Sequence, residues 1–141
     1  MRILALDLGQ QRIGLALSDE LGLTAQGLST LERRNLRADL AALERLARDQ
    51  SVDRIVVGEP LHLSGRAGAQ AQAARRFAEA LTRRTGLPVE LWDERLTTAE
   101  ASRVLRSSGI GIEKRARAVD RLAAVILLQS YLDWQAAGGA R

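Results

Sequence analysis

The feature that most narrows the fold of this chain lies at its N-terminus. Ile3 to Leu8 is an apolar run, Arg12 to Ser18 is a second, and only Gly9-Gln10-Gln11 separates them. So short a link cannot carry the chain back across a sheet, because a parallel crossover needs about a dozen residues or more. The two runs are therefore expected to be strands of one antiparallel hairpin. A third, weaker strand fits around Leu23 to Leu31, after a turn at Gly22.

Beyond Leu31 the pattern changes period. Asn35 is a good N-cap, and Leu36, Leu40, Leu43 and Leu46 follow it at helical spacing. Val52 to Gly58 is a short strand rich in β-branched residues. A loop over Glu59 to Gly68 leads into a helix over about 69–85, which Gly86 ends, and Pro88 opens a strand through Trp92. Thr97 or Thr98 can cap a further helix to about Arg106. After the loop from Ser107 to Ile112, a long helix is expected from Lys114 to Gln135. An antiparallel opening followed by alternating helix and strand predicts an α/β fold. Its mixed five-stranded sheet has three antiparallel strands, then two parallel ones, and helices flank it. The 141 residues show no internal repeat or linker, so one domain over 1–135 is expected, with a frayed tail over 136–141.

Charge and composition bear on function. The net charge is +4, and of the 21 basic residues only Lys114 is a lysine. A basic excess favours anionic partners such as nucleic acid, and arginine grips phosphate through planar paired contacts. An excess this small is equally compatible with a plain compositional bias. Aromatic residues make up 3% of the chain, which leaves only Phe77, Trp92, Tyr131 and Trp134 for stacking on single-stranded bases. There is no cysteine, which rules out disulfides and thiolate metal sites. The first apolar run is too short for a signal peptide or a membrane span, and Asp120 and Asp133 closely flank the brief run from Leu122 to Leu128. A cytoplasmic protein with no membrane partner is the expectation.

Three acids stand where chemistry could occur. Asp7 closes an apolar strand just before Leu8-Gly9, and strand ends in such sheets open onto ligand crevices. It could also simply serve the turn. Glu94 follows another strand end, beside Asp93 and Arg95, where a solvated acid near a helix start is equally at home. Asp120 is more informative. On the helix wheel it falls between Leu127 and Tyr131, bordering an apolar stripe, with Lys114, Arg117 and Arg121 on the adjoining face. An acid placed there needs an ion partner, either a metal or an arginine. If the three converge, their oxygen ligands suit Mg²⁺ or Mn²⁺ rather than zinc, and such ions can drive phosphodiester hydrolysis.

The blocks around these acids resemble a known family. Leu6-Asp7-Leu8-Gly9, then Arg12-Ile13-Gly14-Leu15-Ala16 and Ser18-Asp19, are similar to the opening motif of the YqgF/RuvX family. These are pre-16S rRNA nucleases, also described as Holliday-junction-resolvase-like. Val56-Val57-Gly58 with Pro60-Leu61, Gly65 and Gly68 resembles the family's middle loop. Asp93-Glu94-Arg95-Leu96-Thr97-Thr98 resembles its third block, and Lys114 with Val119-Asp120 and Ala123-Ala124 its last. The resemblance implies a ribonuclease H-like fold and trimming of the 5′ end of precursor 16S rRNA. It also implies that Asp7, Glu94 and Asp120 are the catalytic, metal-binding carboxylates. Gly9, Arg12, Arg95, Lys114 and Arg117 are the expected substrate contacts. The chain departs from the family at Glu59, where an apolar residue is usual, at His62-Leu63, and at Ala67. His62 is expected to be a plain loop residue, and Glu59 to be salt-bridged or a fourth acid at the cleft.

Other functions fit parts of this pattern. A resolvase of four-way DNA on the same fold would use the same acids, since substrate choice lies in loops and assembly. A non-catalytic RNA-binding factor of ribosome assembly is of a different class, and three clustered acids would repel its RNA. A hairpin with Asp7-Leu8-Gly9 also suits phosphate binding in sugar-kinase-like proteins, which need a second lobe. RNA, structured DNA and a ribosomal precursor particle are thus the expected partners, for a monomer or a homodimer.

Overall fold

The computed structural model describes residues 1–60, 64, 66–93 and 112–139, with only the backbone over 112–117. The elements are β1 (Ile3–Leu8), β2 (Arg12–Ser18), β3 (Ala25–Glu32), α1 (Leu36–Asp49), β4 (Arg54–Glu59), α2 (Ala69–Thr85), β5 (Val89–Asp93) and α3 (Ile112–Ala136). The expected helix between Thr97 and Arg106, the loop before α3, and His62 lie outside the described residues. One sheet holds all five strands in the order β3-β2-β1-β4-β5. The β1–β2 and β2–β3 pairs are antiparallel, whereas β1–β4 and β4–β5 are parallel. The mixed sheet expected from the sequence is the one observed.

Local chemistry explains the element ends. The Asn35 side chain accepts from the Ala38 N–H at 2.8 Å, capping α1. Gly86 takes the left-handed conformation (φ 72°) that ends α2, and its N–H donates to the Thr82 carbonyl at 2.9 Å. Past α3, the Gly138 and Gly139 N–H groups donate to the carbonyls of Gln135 and Trp134. No helix of the described residues is long and apolar enough to cross a membrane.

Strand alternation gives the sheet two different faces. Leu4 and Leu6 of β1, Ile13 and Leu15 of β2, and Ile55 and Val57 of β4 point to one side. There they pack on Leu40 and Leu43 of α1 and on Phe77 and Leu81 of α2. Ile3 and Ala5, with Ala16 and Val56, point to the other side and pack under Ala124, Leu127, Leu128 and Tyr131 of α3. Fully burying one such branched side chain contributes about 1.5–3 kcal/mol. The residues that β1 and β2 pair on the α3 side include the small Ala5 and Ala16, and a helix comes close there.

Candidate active site

That close approach builds the site. Asp7 lies opposite Gly14 in the β1–β2 register, two residues beyond Ala5, and so shares the α3 face. A Cβ built on Gly14 would stand 2.0 Å from the backbone oxygen of Asp120. No side chain fits there. Glycine at this position lets α3 rest its backbone on β2, which brings Asp120 to the end of β1 that carries Asp7. One strand further out, Gly27 makes room for side chains of the helix, since a Cβ there would lie 2.7 Å from the Arg121 side chain.

The two acids sit in different surroundings. Asp7 is only 8% exposed, near the C-terminal end of the central strand β1. Asp120 keeps 23% of its side chain exposed and accepts from the Arg12 guanidinium Nε at 3.0 Å. Arg12 begins β2, so this pair ties the helix to the hairpin across more than a hundred residues of chain. A charge-assisted hydrogen bond of this kind fixes the carboxylate's orientation. An arginine of the hairpin is thus one ion partner of this helix acid. Arg12 was expected to hold phosphate; its Nε bonds Asp120, which involves only one of its guanidinium nitrogens.

The remaining expected contacts divide into three groups. Gly9 serves the turn: its N–H donates to the Arg12 carbonyl at 2.9 Å, and a Cβ there would come within 2.7 Å of that oxygen. Lys114 and Arg117 lie on the first turns of α3, N-terminal to Asp120, with their side chains outside the described residues. Glu94 and Arg95 also lie outside them, directly after β5 in the chain. Glu59 is settled. It sits at the end of β4 on the α1–α2 side, where it accepts from Arg75 of α2 in a salt bridge, and so is not a fourth acid facing Asp7.

One group of residues that sequence reasoning did not single out braces the strand leading to Glu94. Trp92 stacks on Tyr131 at 5.2 Å and 17°, and Trp134 tilts against both. The Tyr131 hydroxyl donates to Glu90 at 2.6 Å and accepts from Arg54 at 2.8 Å. Burial, and then the bond to Glu90, push that hydroxyl above its ordinary pKa. Three of the chain's four aromatic rings therefore lock α3 to β5, and none of them is left as a free stacking platform. The signal for this was present as Trp92, Tyr131 and Trp134, but only the fold brings β5 to α3.

The donor set suits a hard cation. Asp7 and Asp120 offer carboxylate oxygens, the chain has no cysteine, and its one histidine is remote in sequence from all three acids. Among the described residues no cluster of three potential ligands is present, and the third expected ligand, Glu94, falls outside them.

Comparison with known proteins agrees with this architecture. A protein of Koribacter versatilis named "Putative pre-16S rRNA nuclease" is 55% identical over 132 residues, covering 94% of this chain and 86% of its own length. A protein of Moorella thermoacetica with the same name is 52% identical over 133 residues, covering 94% and 95%. Among solved structures, T. thermophilus RuvC in complex with a Holliday junction substrate superposes with a TM-score of 0.61 at 14% identity. It covers 100% of this chain and 98% of that one. The fowlpox virus resolvase bound to Holliday junction DNA gives 0.58 at 12% identity, covering 96% and 99%. At such identities the likeness is one of fold, the ribonuclease H-like fold. The family model described as "RuvX: Holliday junction resolvase" matches residues 1–134, and the chain belongs to that family.

Proposed function

We propose that this protein is a divalent-metal-dependent nuclease that processes the 5′ end of precursor 16S rRNA in the cytoplasm, on a ribosomal precursor particle. Asp7, Glu94 and Asp120 are its metal-binding carboxylates. The observation that carries the proposal is the seat of α3 on Gly14, which brings Asp120 to the strand end bearing Asp7. Relatives covering nearly the whole chain carry the corresponding name.

Mg²⁺ or Mn²⁺ held by these acids would supply an activated water and neutralise charge on the leaving oxygen. The protein's part is to hold the ligands still. Asp7 is paired with Gly14 of β2 and follows directly on the β1–β4 pairing that ends at Leu6, so its carboxylate needs little reorganisation on binding. Arg12 holds Asp120 in one orientation and moderates the repulsion between the two acids until a cation arrives. Lys114 and Arg117, on the turns preceding Asp120, would take phosphates flanking the scissile bond, and Arg95 would do so from the side of Glu94.

The test is to incubate the protein with precursor and mature 16S 5′-end RNAs, and with a four-way DNA junction, in Mg²⁺, Mn²⁺ or chelator. Metal-dependent shortening of the precursor RNA, with the mature end spared, is the expected result. Cleavage of the junction alone would make the protein a resolvase. RNA binding that is equal in chelator, with nothing cut, would make it a non-catalytic assembly factor.

A further inference from the structure

The sheet end that carries Asp7 also opens on its other side. There, between the start of α1 and the first turns of α2, lies a cleft of about 500 Å³ that no part of the proposed cleavage chemistry uses. Leu8 and Phe77 give it an apolar floor, Gln10 and Gln70 place amides at its rim, and Arg33 and Arg76 supply positive charge. Among the described residues that line it there is no acid.

Arg33 is held in place in three ways. Its Nη1 donates to the Gly9 carbonyl at 2.8 Å, its Nε pairs with the buried Asp39 at 3.6 Å, and its guanidinium carbon lies 5.7 Å from the centre of the Phe77 ring. A planar cation fixed in this way loses little freedom when a flat ring stacks on it. Guanidinium planes are a recurrent platform for unpaired bases, and side-chain amides can read the edges of those bases. Arg76 is exposed and stands at a lining position of α2, where it can meet a phosphate. The volume lies within the range of small-ligand sites, about 300–1,000 Å³, and is ample for one nucleotide.

We propose that this cleft binds a single nucleotide, base against Arg33 and Phe77 and phosphate toward Arg76. Resting on the function proposed above, its occupant is the unpaired nucleotide next to the scissile bond of the RNA. Leu8 and Asp7 are consecutive residues whose side chains leave β1 on opposite faces. A strand of RNA crossing this edge would therefore place a phosphate at Asp7 and a neighbouring base in the cleft. Free nucleotide offers the same chemistry.

The test measures binding of adenosine and uridine 5′-monophosphates and of a short single-stranded RNA from the precursor 5′ end, by calorimetry in chelator. It uses the full chain, Gln70→Ala and Arg76→Glu, both at exposed positions, and Asp7→Asn. Saturable nucleotide binding is expected. Arg76→Glu should weaken it about tenfold or more, Gln70→Ala less, and Asp7→Asn should leave it unchanged. Competition by the RNA would identify the nucleotide as part of the substrate, and binding without competition would identify it as a free nucleotide. If nucleotides fail to bind, or bind equally well to Arg76→Glu and Gln70→Ala, the cleft proposal is wrong even if the protein cleaves rRNA. If nucleotides bind there but no RNA is cut, the cleft stands and the nuclease proposal falls.

Discussion

The two faces of β1 are built from alternate residues of one strand, and they do opposite work. Leu4 and Leu6 face α1 and α2 and are fully buried among large branched side chains. Ala5 and Asp7 face α3, opposite Ala16 and Gly14, and there the side chains shrink until a helix backbone touches a strand. On the first face, volume is filled to exclude water. On the second, volume is removed so that an acid from a distant helix can reach an acid on the strand. Stability and chemistry are thus separated by one residue of chain, and substitutions on the two sides should behave differently.

The largest expected effect is on the acid itself. Asp7→Asn keeps shape and volume, so the melting temperature should hold within a few degrees. Metal-dependent cleavage of precursor RNA should fall by about a thousandfold or more. Full activity in that variant would end the case for Asp7. Gly14→Ala should strike both properties. The added methyl meets the Asp120 carbonyl, so α3 must lift, at a cost of about 1–3 kcal/mol or more in urea unfolding, with cleavage largely lost in the molecules that remain folded.

Leu6→Ala is the contrasting experiment on the opposite face. It should cost about 2–5 kcal/mol in unfolding, while the folded fraction retains most of its turnover. Equal losses of turnover per folded molecule in Gly14→Ala and Leu6→Ala would erase the distinction between the faces. Arg12→Ala should act more mildly, by freeing Asp120 to reorient. Turnover should drop about 10–100-fold, and higher metal concentration should recover part of it.

The smallest effect belongs to the loop before β3. The Asp19 carboxylate accepts from the Thr24 and Leu23 N–H groups, and these bonds lower its pKa. A carboxyl group with a lowered folded-state pKa contributes stability above its unfolded value, and that contribution is lost as pH falls through the folded value. Asp19→Asn should therefore reduce the melting temperature slightly at neutral pH and leave it unchanged in strong acid. A difference that persists in acid would assign the effect to packing instead.

Much of the fold could be read from residue order. The hairpin, the Asn35 cap and the Gly86 stop depend on local backbone preferences, which act over a few residues, and each stands where the sequence placed it. Even Asp120 was visible in part, because its position beside the Ala124, Leu127 and Tyr131 stripe is a matter of helix period. Its partner was not. Arg12 lies over a hundred residues away, and nothing in its neighbours shows that it reaches this acid. Gly14 was likewise noticed only as part of a family motif.

By itself, then, the sequence determined the elements of the described residues, their order, the mixed sheet and the strand and helix that carry Asp7 and Asp120. Tertiary structure alone decided that Gly14 is where the helix rests, that Arg12 serves Asp120, that Glu59 faces Arg75, and that the rings of Trp92, Tyr131 and Trp134 join β5 to α3. The division has a physical cause. Periodicity and capping are short-range properties of the backbone, legible in any window of sequence. A contact between strand and helix depends on how closely two surfaces approach, and that distance is set only when every side chain between them is in place.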